Sequence, residues 1–331
     1  MSNMTGIKMK AIAIYHPSKV VENDFYIEHF KERGKDISHF LEVMGRKQRY
    51  IIDNEDENGL TMGIEAAKRV LEKAQMKGKD IDYIIFSTQV PETTFPMNAM
   101  YLHDAIGADH HTMVMDTNAN CAGMTVSVEQ ASRYMMANPH VHTALVVGSD
   151  YNSLIANPEQ EITYANYGDA ACAVILEKTE EDTGFIDSIY FTDSVNREKI
   201  SYPAKGLTKS LKGDADIRFI DWLPFDGDMA MPPTYEMFET MLDRNKLTWK
   251  DIDACCFTQF ALSNIHKVQK QFDIEDEKII YVGDTYAYTG TSSPFIALYE
   301  GIKSGRIKRG DHVLFWTIGA GYQLVATLFK Y

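Results

Sequence analysis

The residue best placed for covalent chemistry in this chain is Cys121. It follows a run with strand character, Met113 to Thr117, and precedes a helical pattern that contains Gly123. A thiol at or near the start of a helix lies at the positive end of the helix dipole, which stabilises a thiolate. We therefore predict that Cys121 is a nucleophile. The alternative interpretation is a small buried residue, which describes most free cysteines.

The other three cysteines fit that simpler interpretation. Cys255 and Cys256 are neighbours in a predicted strand, so their side chains point to opposite faces of the sheet. Together with Cys172 and Cys121 they are unevenly spaced and form no C-x-x-C pair. We therefore predict no disulfide framework, no metal site and no bound cofactor.

A glycine-rich turn, Gly319-Ala320-Gly321, is the second feature with chemical potential. It lies between two predicted strands, Val313 to Thr317 and Gln323 to Phe329. Glycine lets the backbone approach a ligand closely, and a free amide in such a turn can donate to an oxyanion. The turn is not a dinucleotide fingerprint, because a strand rather than a helix follows it.

The chain also repeats itself at long range. Lys79-Asp80-Ile81-Asp82 recurs 171 residues later as Lys250-Asp251-Ile252-Asp253. The segment from Asp116 to Thr125, which contains Cys121, is echoed 168 residues later from Asp284 to Ser293. Two near-equal offsets indicate duplicated halves, since solenoid repeats are roughly 20 to 50 residues long.

Short β-rich runs alternate with helical patterns, which predicts a layered α/β fold whose sheets are buried on both faces. The predicted strands are Met9 to Tyr15, Tyr83 to Thr88, Met113 to Thr117, Ala144 to Gly148, Ala173 to Leu176, Gly184 to Phe191, Ala254 to Thr258, Lys278 to Val282, Val313 to Thr317 and Gln323 to Phe329. The predicted helices are Met62 to Ala74, Thr125 to Met136, Tyr235 to Leu242 and Ser293 to Ser304.

We divide the chain into two halves, residues 1–180, which carry Cys121, and residues 181–331. A charged connection, Glu177 to Thr183, joins them. An irregular insertion, Asp193 to Asp228, is rich in Lys, Asp and Gly and breaks the repeat. It forms either a lid or tunnel wall, or a surface loop with no part in binding.

Composition limits the classes of partner. The formal charge of -14 disfavours nucleic acid and anionic membranes, whose phosphates it would repel. The longest apolar stretches are far shorter than the roughly 20 residues that span a bilayer. The start, Met1 to Gly6, lacks the basic and apolar blocks of a signal peptide, so we expect a cytoplasmic protein.

The same acidity disfavours an acidic carrier protein as partner unless a local basic patch exists. Two clusters are candidates for such a patch: Arg46, Lys47 and Arg49, and Lys303, Arg306, Lys308 and Arg309. The alternative is that both clusters are solvated helix ends and loops.

With these residues in view, the chain resembles the thiolase superfamily, and specifically the 3-oxoacyl-[acyl-carrier-protein] synthase III group. The resemblance runs in the expected order from Met9 to Tyr331. The segments that carry it are Gly45-Arg46-Lys47-Gln48-Arg49, Phe95-Pro96, Asn120-Cys121-Ala122-Gly123, Val146-Val147-Gly148-Ser149-Asp150, Tyr167-Gly168-Asp169-Ala170-Ala171 and Ser304-Gly305-Arg306-Ile307-Lys308-Arg309-Gly310-Asp311.

The resemblance implies a five-layer αβαβα fold, a homodimer, and an acyl group transferred from a coenzyme A or acyl-carrier-protein thioester to Cys121. It also implies that Phe95 projects into the partner subunit's tunnel, and that the amides of Cys121 and Gly321 form an oxyanion hole. The pathway it suggests is lipid or secondary-metabolite biosynthesis.

Two catalytic positions depart from the family pattern. The family's His is Thr258 here, and its Asn is Tyr288. Their separation of 30 residues agrees with the family, so we interpret both as substitutions. Threonine is not a base near neutral pH, and a tyrosine hydroxyl with a pKa of about 10 is a slow one. We therefore expect decarboxylative condensation by the usual route to be impaired.

Donor recognition must differ as well. The Trp and Arg that hold coenzyme A in the family correspond roughly to His39 and Val43, and the Arg that contacts the carrier protein falls near Ser263. His266 lies on the helix after Thr258 and reaches the site only if that helix turns this face inward.

The predicted site therefore has two sets of residues. The catalytic set is Cys121, Thr258, Tyr288 and Gly321, and the substrate-binding set is Phe95, Thr289, Ala320 and His266.

Two functions from different classes remain open. In the first, the chain is an acyltransferase in which Cys121 accepts an acyl group and passes it to an amine, an alcohol or a preformed carbanion. In the second, it is a catalytically degenerate acyl-binding or partner subunit of a condensing enzyme. The retained Cys121 favours the first function, and the lost His and Asn favour the second.

Overall fold

The structure of the chain is a computed structural model that describes residues 6–213 and 218–331. Most of the segment used to judge a signal peptide, residues 1–5, lies outside the described residues. Residues 214–217 of the predicted insertion also lie outside them.

The described strands fall into two main sheets and two small ones. In chain order they are β1 (Gly6–Tyr15), β2 (Lys19–Glu22), β3 (Gln48–Ile51), β4 (Tyr83–Ser87), β5 (Met113–Thr117), β6 (Thr143–Asp150), β7 (Ala170–Thr179), β8 (Gly184–Thr192), β9 (Ile200–Ser201), β10 (Asp221–Trp222), β11 (Ala254–Phe257), β12 (His312–Gly319) and β13 (Gln323–Lys330).

The described helices surround and separate these sheets. In chain order they are α1 (Asn23–Lys31), α2 (Ser38–Met44), α3 (Gly59–Ala74), α4 (Asn98–Ile106), α5 (Gly123–Ala137), α6 (Asn152–Ile155), α7 (Glu161–Tyr164), α8 (Leu207–Leu211), α9 (Met231–Asn245), α10 (Leu262–Phe272), α11 (Gly283–Tyr286) and α12 (Ser293–Lys303).

Each half of the chain supplies one main sheet. The first sheet has the strand order β1-β7-β6-β4-β5, in which β4 is parallel to both β5 and β6. The second has the order β11-β12-β13-β8, with β11 parallel to β12. The predicted boundary at residue 180 lies between β7, the last strand of the first sheet, and β8 of the second.

The helices complete a stack of layers. Helices α5 and α12 lie between the two sheets and contact strands of both. Helices α3 and α4 pack on the other face of the first sheet, and α9 and α10 cover the second sheet. The layer order α, β, α, β, α confirms the predicted thiolase-like fold.

The sequence of α5 explains its central place. Met124, Val128, Ala131 and Met135 recur at helical spacing and are buried in the core between the sheets. Its one buried acid, Glu129, accepts hydrogen bonds from Ser188 (2.9 Å) and Tyr190 (2.9 Å) of β8 and pairs with Arg133. The cost of burying this charge is therefore offset, and these hydrogen bonds join α5 to β8 of the second sheet.

One predicted strand, Lys278 to Val282, is wrong. Its start belongs to a 3₁₀ turn (Asp276–Lys278), and the rest forms only an isolated bridge between Cys255 and Ile279. The side chain of Gln259 takes the place of a neighbouring strand: its amide donates to the Ile280 carbonyl (3.3 Å) and its carbonyl accepts from the Val282 amide (2.9 Å). The backbone carbonyl of Ile280 and the amide of Val282 are therefore hydrogen-bonded although no neighbouring strand pairs with them.

In the part of the chain that the structure describes, no helix combines the length and the apolar character needed to cross a bilayer.

Candidate active site

Cys121 lies in a tight turn between β5 and α5, two residues before the first residue of that helix. The residue before it, Asn120, has a φ of 51°, in the left-handed region that Asn tolerates better than most residues. Its amide donates to the side chain of Asn118 (2.9 Å), which stabilises the turn. The thiol is partly exposed, and the pocket described below is where it emerges.

The start of α5 is held close to its neighbours by Gly123. A Cβ on this residue would lie 2.3 Å from the Ser87 hydroxyl and 3.0 Å from the Thr291 hydroxyl. The same Thr291 hydroxyl accepts a hydrogen bond from the Met124 amide (2.6 Å). Only glycine allows this approach, so Gly123 determines where Cys121 sits.

Gln89, just beyond β4, contacts the thiol directly. Its side-chain carbonyl accepts a hydrogen bond from Cys121 Sγ over 3.8 Å. Its Nε2 group donates to Asp150 (3.3 Å) and to Asn152 (3.2 Å), which fixes the orientation of the amide. Burial raises the pKa of Asp150 to about 6, although donors that include the Thr291 amide (2.9 Å) oppose the rise.

Tyr288 approaches the thiol from the second half of the chain, and Thr258 contacts Tyr288. The Thr258 hydroxyl donates to the Tyr288 oxygen, and the Tyr288 hydroxyl donates to the sulfur of Cys121. The Tyr288 backbone is held in place by its hydrogen bond to the Asn166 carbonyl (3.0 Å). The structure therefore brings together the three predicted catalytic side chains.

Burial of the Cys121 thiol outweighs the predicted stabilisation of its thiolate by the helix start. Burial raises the pKa of the Cys121 thiol to about 11, and the nearby Asp150 charge adds to the rise. The hydrogen bond from Tyr288 lowers the pKa, but by less than burial raises it. Burial also raises the pKa of Tyr288 well above its ordinary value, so both groups are neutral near pH 7.

The Gly319–Gly321 turn lies against the Cys121 turn. The Asn120 side chain donates to the Ala320 carbonyl (3.2 Å), and a Cβ on Gly319 would lie 3.0 Å from the Ala119 carbonyl. In residues 6–213 and 218–331, no protein acceptor pairs with the backbone amide of Gly321. This amide lies on the rim of the pocket that contains Cys121, so it is suited to stabilise an oxyanion there.

A pocket opens in front of the thiol. Its lining is mostly apolar and includes Cys121, Gln89, Tyr288 and all three residues of the glycine turn. The insertion supplies one wall, through Asn196, Ile200, Ile220, Trp222 and Phe225. The described part of the insertion is therefore a tunnel wall and not an uninvolved surface loop. A pocket with such an apolar lining suits an apolar acyl group.

Aromatic rings form a continuous wall from the insertion to the thiol. Trp222 stacks on Phe225 (ring centroids 6.4 Å apart) and on Phe260 (5.3 Å). Phe260 meets Tyr288 edge-on at 5.1 Å, and Tyr288 lies 6.1 Å from Tyr167. These rings restrict what can approach Cys121.

Three of the predicted substrate-binding residues do not line this pocket. His266 is exposed because Ile265 and Val268 are the residues of α10 that face the core, which turns His266 to solvent. Thr289 is buried, and its hydroxyl accepts a hydrogen bond from Ser292 (3.0 Å). Phe95 is 88 % exposed, so within a single chain it contacts no acyl group. Ala320 does line the pocket.

The two arginines of the first predicted basic patch are buried, whereas the second patch is exposed and its arginines donate to protein carbonyls. Arg46 and Arg49 are buried, and Arg46 donates to Asn166 (2.7 Å) and to the Phe260 carbonyl (2.7 Å). Arg306 donates to the Glu277 carbonyl and Arg309 to the Met9 carbonyl, both at 2.6 Å. These guanidinium groups bind backbone carbonyls of neighbouring segments. The alternative prediction, that both clusters are only solvated helix ends and loops, is therefore incomplete.

The sequence reasoning missed several residues of the site, among them Gln89, Tyr167, Trp222 and Phe260. The sequence did contain a signal for Gln89. This residue follows β4, a strand that was predicted correctly, and β4 is parallel to β6, which ends at Asp150. No group of three or more His, Cys, Asp or Glu residues in the described ranges is arranged to hold a metal ion.

Sequence models of known families match two segments of the chain. Residues 115–194 match 3-oxoacyl-[acyl-carrier-protein (ACP)] synthase III, and residues 242–331 match the C-terminal part of the same synthase. Together they make up just over half of the chain. The chain belongs to the 3-oxoacyl-[acyl-carrier-protein] synthase III family of the thiolase superfamily. It is thus related to enzymes that transfer acyl groups, as its residues indicate.

Whole-length relatives agree with this assignment. The synthase III-like chain is 26% identical to the β-ketoacyl-[acyl-carrier-protein] synthase III of Koribacter versatilis, over 100% of this chain and 99% of the relative. It is 28% identical to the enzyme of the same name from Clostridium perfringens, over 99% and 100%.

Solved structures show the same fold. The structure of 3-oxoacyl-[acyl-carrier-protein] synthase III from Aquifex aeolicus has a TM-score of 0.86 and is 22% identical in sequence. The superposition covers 98% of this synthase III-like chain and 100% of the Aquifex chain. The priming β-ketosynthase of the R1128 polyketide pathway has a TM-score of 0.88 at 19% identity, with 98% and 95% covered.

Proposed function

We propose that the protein takes an acyl group from a thioester of coenzyme A or an acyl carrier protein onto Cys121 and passes it to an acceptor. The observation that carries this proposal is the position of the thiol. It faces an apolar pocket, between the Tyr288 hydroxyl and the Gln89 carbonyl and beside the free amide of Gly321. Membership of the synthase III family supports the same reaction type.

The acylation step balances without a further reactant. The sulfur of Cys121 attacks the thioester carbonyl carbon, the bond to the donor's sulfur breaks, and the proton of Cys121 ends on the departing thiol. The carbonyl oxygen becomes negative in the tetrahedral intermediate, where the amides of Cys121 and Gly321 stabilise it. Tyr288 donates a hydrogen bond to the sulfur of Cys121, which stabilises the negative charge on the sulfur when the thiol loses its proton.

The second half of the reaction differs from that of the usual family member. Thr258 and Tyr288 replace the His and Asn that stabilise the enolate of a decarboxylating malonyl thioester, and neither is a base near pH 7. The acceptor is therefore a nucleophile that needs no decarboxylation, such as an amine, an alcohol or a preformed carbanion. The product belongs to lipid or secondary metabolism.

Intact-protein mass spectrometry tests the proposal. The protein is incubated with a panel of acyl-coenzyme A and acyl-carrier thioesters, with Cys121→Ala as the negative variant. Cys172→Ala is the matched control, because it removes a thiol that is fully buried away from the pocket. An acyl adduct that survives in Cys172→Ala and disappears in Cys121→Ala supports the proposal. No adduct with any donor overturns it.

A second candidate function is a degenerate acyl-binding or partner subunit. The raised pKa of Cys121 and the presence of Thr258 at the position of the family's His favour this function. Such a subunit retains acyl-coenzyme A in native mass spectra and loses it on denaturation, whereas an acyltransferase keeps the acyl mass after denaturation.

We also propose that the protein is a homodimer. Phe95 is 88 % exposed, and the edge strand β5 carries the exposed Met113 and Met115. A second copy that covers these apolar groups is the simplest explanation for their exposure. Light scattering tests it: a mass near 37.5 kDa in solution, that of one chain, overturns the dimer, and twice that mass supports it.

A further inference from the structure

The side chains packed around Cys121 are rich in aromatic rings. The cluster that contains this thiol, here named the aromatic cluster, has three buried residues at its centre and four packed against them: Tyr167, Tyr288 and Ala156, with Tyr164, Trp222, Phe260 and Cys121. Apart from Cys121, five of its six members are aromatic. In the three large core clusters of the described residues, non-aromatic apolar side chains predominate. An acyl group on the sulfur therefore meets aromatic rings first.

The rings of the aromatic cluster meet in the two geometries that aromatic pairs prefer. Trp222 and Phe260 are stacked, with ring planes 1° apart and centroids 5.3 Å apart. Phe260 and Tyr288 meet edge-on, with an interplanar angle of 85° and centroids 5.1 Å apart. Trp222 and Phe260 are only half-buried and both line the pocket, so part of each ring is open to a ligand. A further ring in the pocket can pair with them in the same two ways.

These rings are held in place by contacts within the protein. Tyr288 is 2 % exposed. The Phe260 carbonyl accepts a hydrogen bond from Arg46 (2.7 Å), and the Trp222 carbonyl accepts one from Gln160 (3.2 Å). A flexible alkyl chain loses rotational freedom between such fixed walls, whereas a ring has little freedom to lose. The walls therefore favour a rigid, flat group.

The charges at the pocket limit the ligand further. Among the described residues that line it, none is Lys, Arg or His, and Asp226 is the one carboxylate. An acyl group with its own carboxylate would be buried here without a cationic partner, which is costly. The pocket therefore favours an uncharged acyl group.

We propose that the acyl group carried by Cys121 contains an uncharged aromatic ring, which packs against Phe260 and Tyr288. This proposal rests on the proposed function, because it names the class of acyl group that is transferred. The covalent step is the same acylation: the sulfur of Cys121 bonds to the carbonyl carbon, the bond to the donor's sulfur breaks, and the proton ends on the departing thiol.

The test compares the phenylacetyl and cyclohexylacetyl thioesters of N-acetylcysteamine as donors. The two acyl groups have the same carbon skeleton, and a methylene separates each ring from the carbonyl, so their intrinsic reactivities are similar. Their rates with free N-acetylcysteine correct the remaining difference. Mass spectrometry then gives the rate of acylation of Cys121. We expect the phenylacetyl group to be transferred about tenfold faster, the value of two aromatic contacts.

The cyclohexyl ring is the more apolar of the two, which makes the comparison decisive. A pocket that only removes apolar surface from water transfers both groups equally or prefers the cyclohexylacetyl group. Either result in the native protein overturns the proposal.

The variant Phe260→Leu removes one ring and keeps an apolar side chain in its place. We expect the preference for phenylacetyl to fall to about threefold or less. The control Phe25→Leu makes the same substitution on α1, where the ring is 53 % exposed and outside the pocket, and its preference is expected to stay within about twofold of native. A ratio of two rates in one preparation does not depend on the fraction of protein that is folded. If Phe260→Leu yields no soluble protein, Trp222→Leu takes its place. A native preference in the pocket variant overturns the proposal.

Binding to Cys121→Ala separates this proposal from the proposed function. Where neither thioester acylates the native protein, calorimetry gives the dissociation constants of both thioesters for this variant. Binding of the phenylacetyl thioester about tenfold more tightly supports the aromatic pocket, although the acyl transfer itself has failed. Equal dissociation constants, or no binding of either thioester, overturn the aromatic pocket as well.

Discussion

The side-chain carbonyl of Gln89 accepts a hydrogen bond from the Cys121 thiol over 3.8 Å. Both donors of the same amide are occupied, by Asp150 (3.3 Å) and Asn152 (3.2 Å), so it cannot turn its nitrogen towards the sulfur. This hydrogen bond consequently favours one orientation of the thiol, and Gln89, just beyond β4 of the first sheet, provides it. We regard Gln89 as a positioning residue for the nucleophile.

The variant Gln89→Leu tests that relationship. It keeps much of the side-chain volume but removes the acceptor, so the thiol loses its preferred orientation. We expect acylation of Cys121 to slow by about tenfold to a hundredfold. Stopped-flow or quenched mass spectrometry measures the rate, and a thermal melt shows whether the fold is intact. An unchanged acylation rate with an intact fold removes Gln89 from the site.

Tyr288→Phe tests the donor on the other side of the sulfur. The Tyr288 hydroxyl lowers the pKa of Cys121, so its removal raises that pKa further and leaves less thiolate at a given pH. We expect alkylation by iodoacetamide at pH 8 to slow by about three- to tenfold, the value of one hydrogen bond.

Tyr167→Phe is the matched control for this change. It removes a hydroxyl from the same pocket wall, but one that makes no hydrogen bond to the thiol among the described contacts. Alkylation is expected to stay within about twofold of native. If alkylation of Cys121 slows equally in both variants, the effect comes from a change in the pocket wall and not from loss of the hydrogen bond.

The pH dependence of alkylation follows from the apolar surroundings of the Cys121 thiol. Burial disfavours the charged form, and for an acid this raises the pKa, to about 11 at Cys121. The thiolate fraction therefore grows about tenfold for each pH unit from pH 7 to 9, and the alkylation rate grows with it. A plateau near pH 7 would show instead that the helix start outweighs burial.

Restoring the family's side chains tests the substitutions. In the double variant Thr258→His, Tyr288→Asn, the smaller Asn leaves room for the imidazole beside Cys121. We expect release of carbon dioxide from malonyl-coenzyme A to rise at least about tenfold over native, because general-acid and electrostatic groups of this kind contribute at least that much. If release stays at the native level, features other than these two positions prevent decarboxylation.

Arg46 is predicted to be a stability residue. Its guanidinium donates to the Phe260 carbonyl (2.7 Å) and the Gly283 carbonyl (2.9 Å), so Arg46→Met leaves buried acceptors without partners. The free energy of unfolding in urea is expected to fall by about 3 kcal/mol or more. Arg33→Met, which breaks only the exposed ion pair with Glu159, is expected to cost less than about 1 kcal/mol. Similar losses would contradict the assignment.

Local motifs predicted the fold well and placed Cys121 at a turn that opens on the pocket. Cys121 and the Gly319–Gly321 turn are short segments whose meaning depends on the strands beside them, and those strands were placed correctly. The five layers followed from the resemblance. The strand boundaries were close because buried parallel strands are short, continuous apolar runs.

What the sequence did not predict depends on tertiary contacts. Gln89 and Asp150 are 61 residues apart and meet only because β4 and β6 are neighbours. His266 lies outside the site because Ile265 and Val268 are the residues of α10 that pack against the core. The cost of burying the Cys121 thiol depends on the pocket walls, which no local pattern reveals.

The most direct test of the central claim is a single-turnover chase of the acyl enzyme. Cys121 is loaded with a hexanoyl group, the excess donor is removed, and the enzyme is offered a malonyl thioester or a panel of amines, alcohols and preformed carbanion donors. We predict that the hexanoyl mass leaves Cys121 with a nucleophile from the panel and that the malonyl thioester releases no carbon dioxide. Loss of the hexanoyl group to the malonyl thioester, with one carbon dioxide per Cys121, would contradict the account.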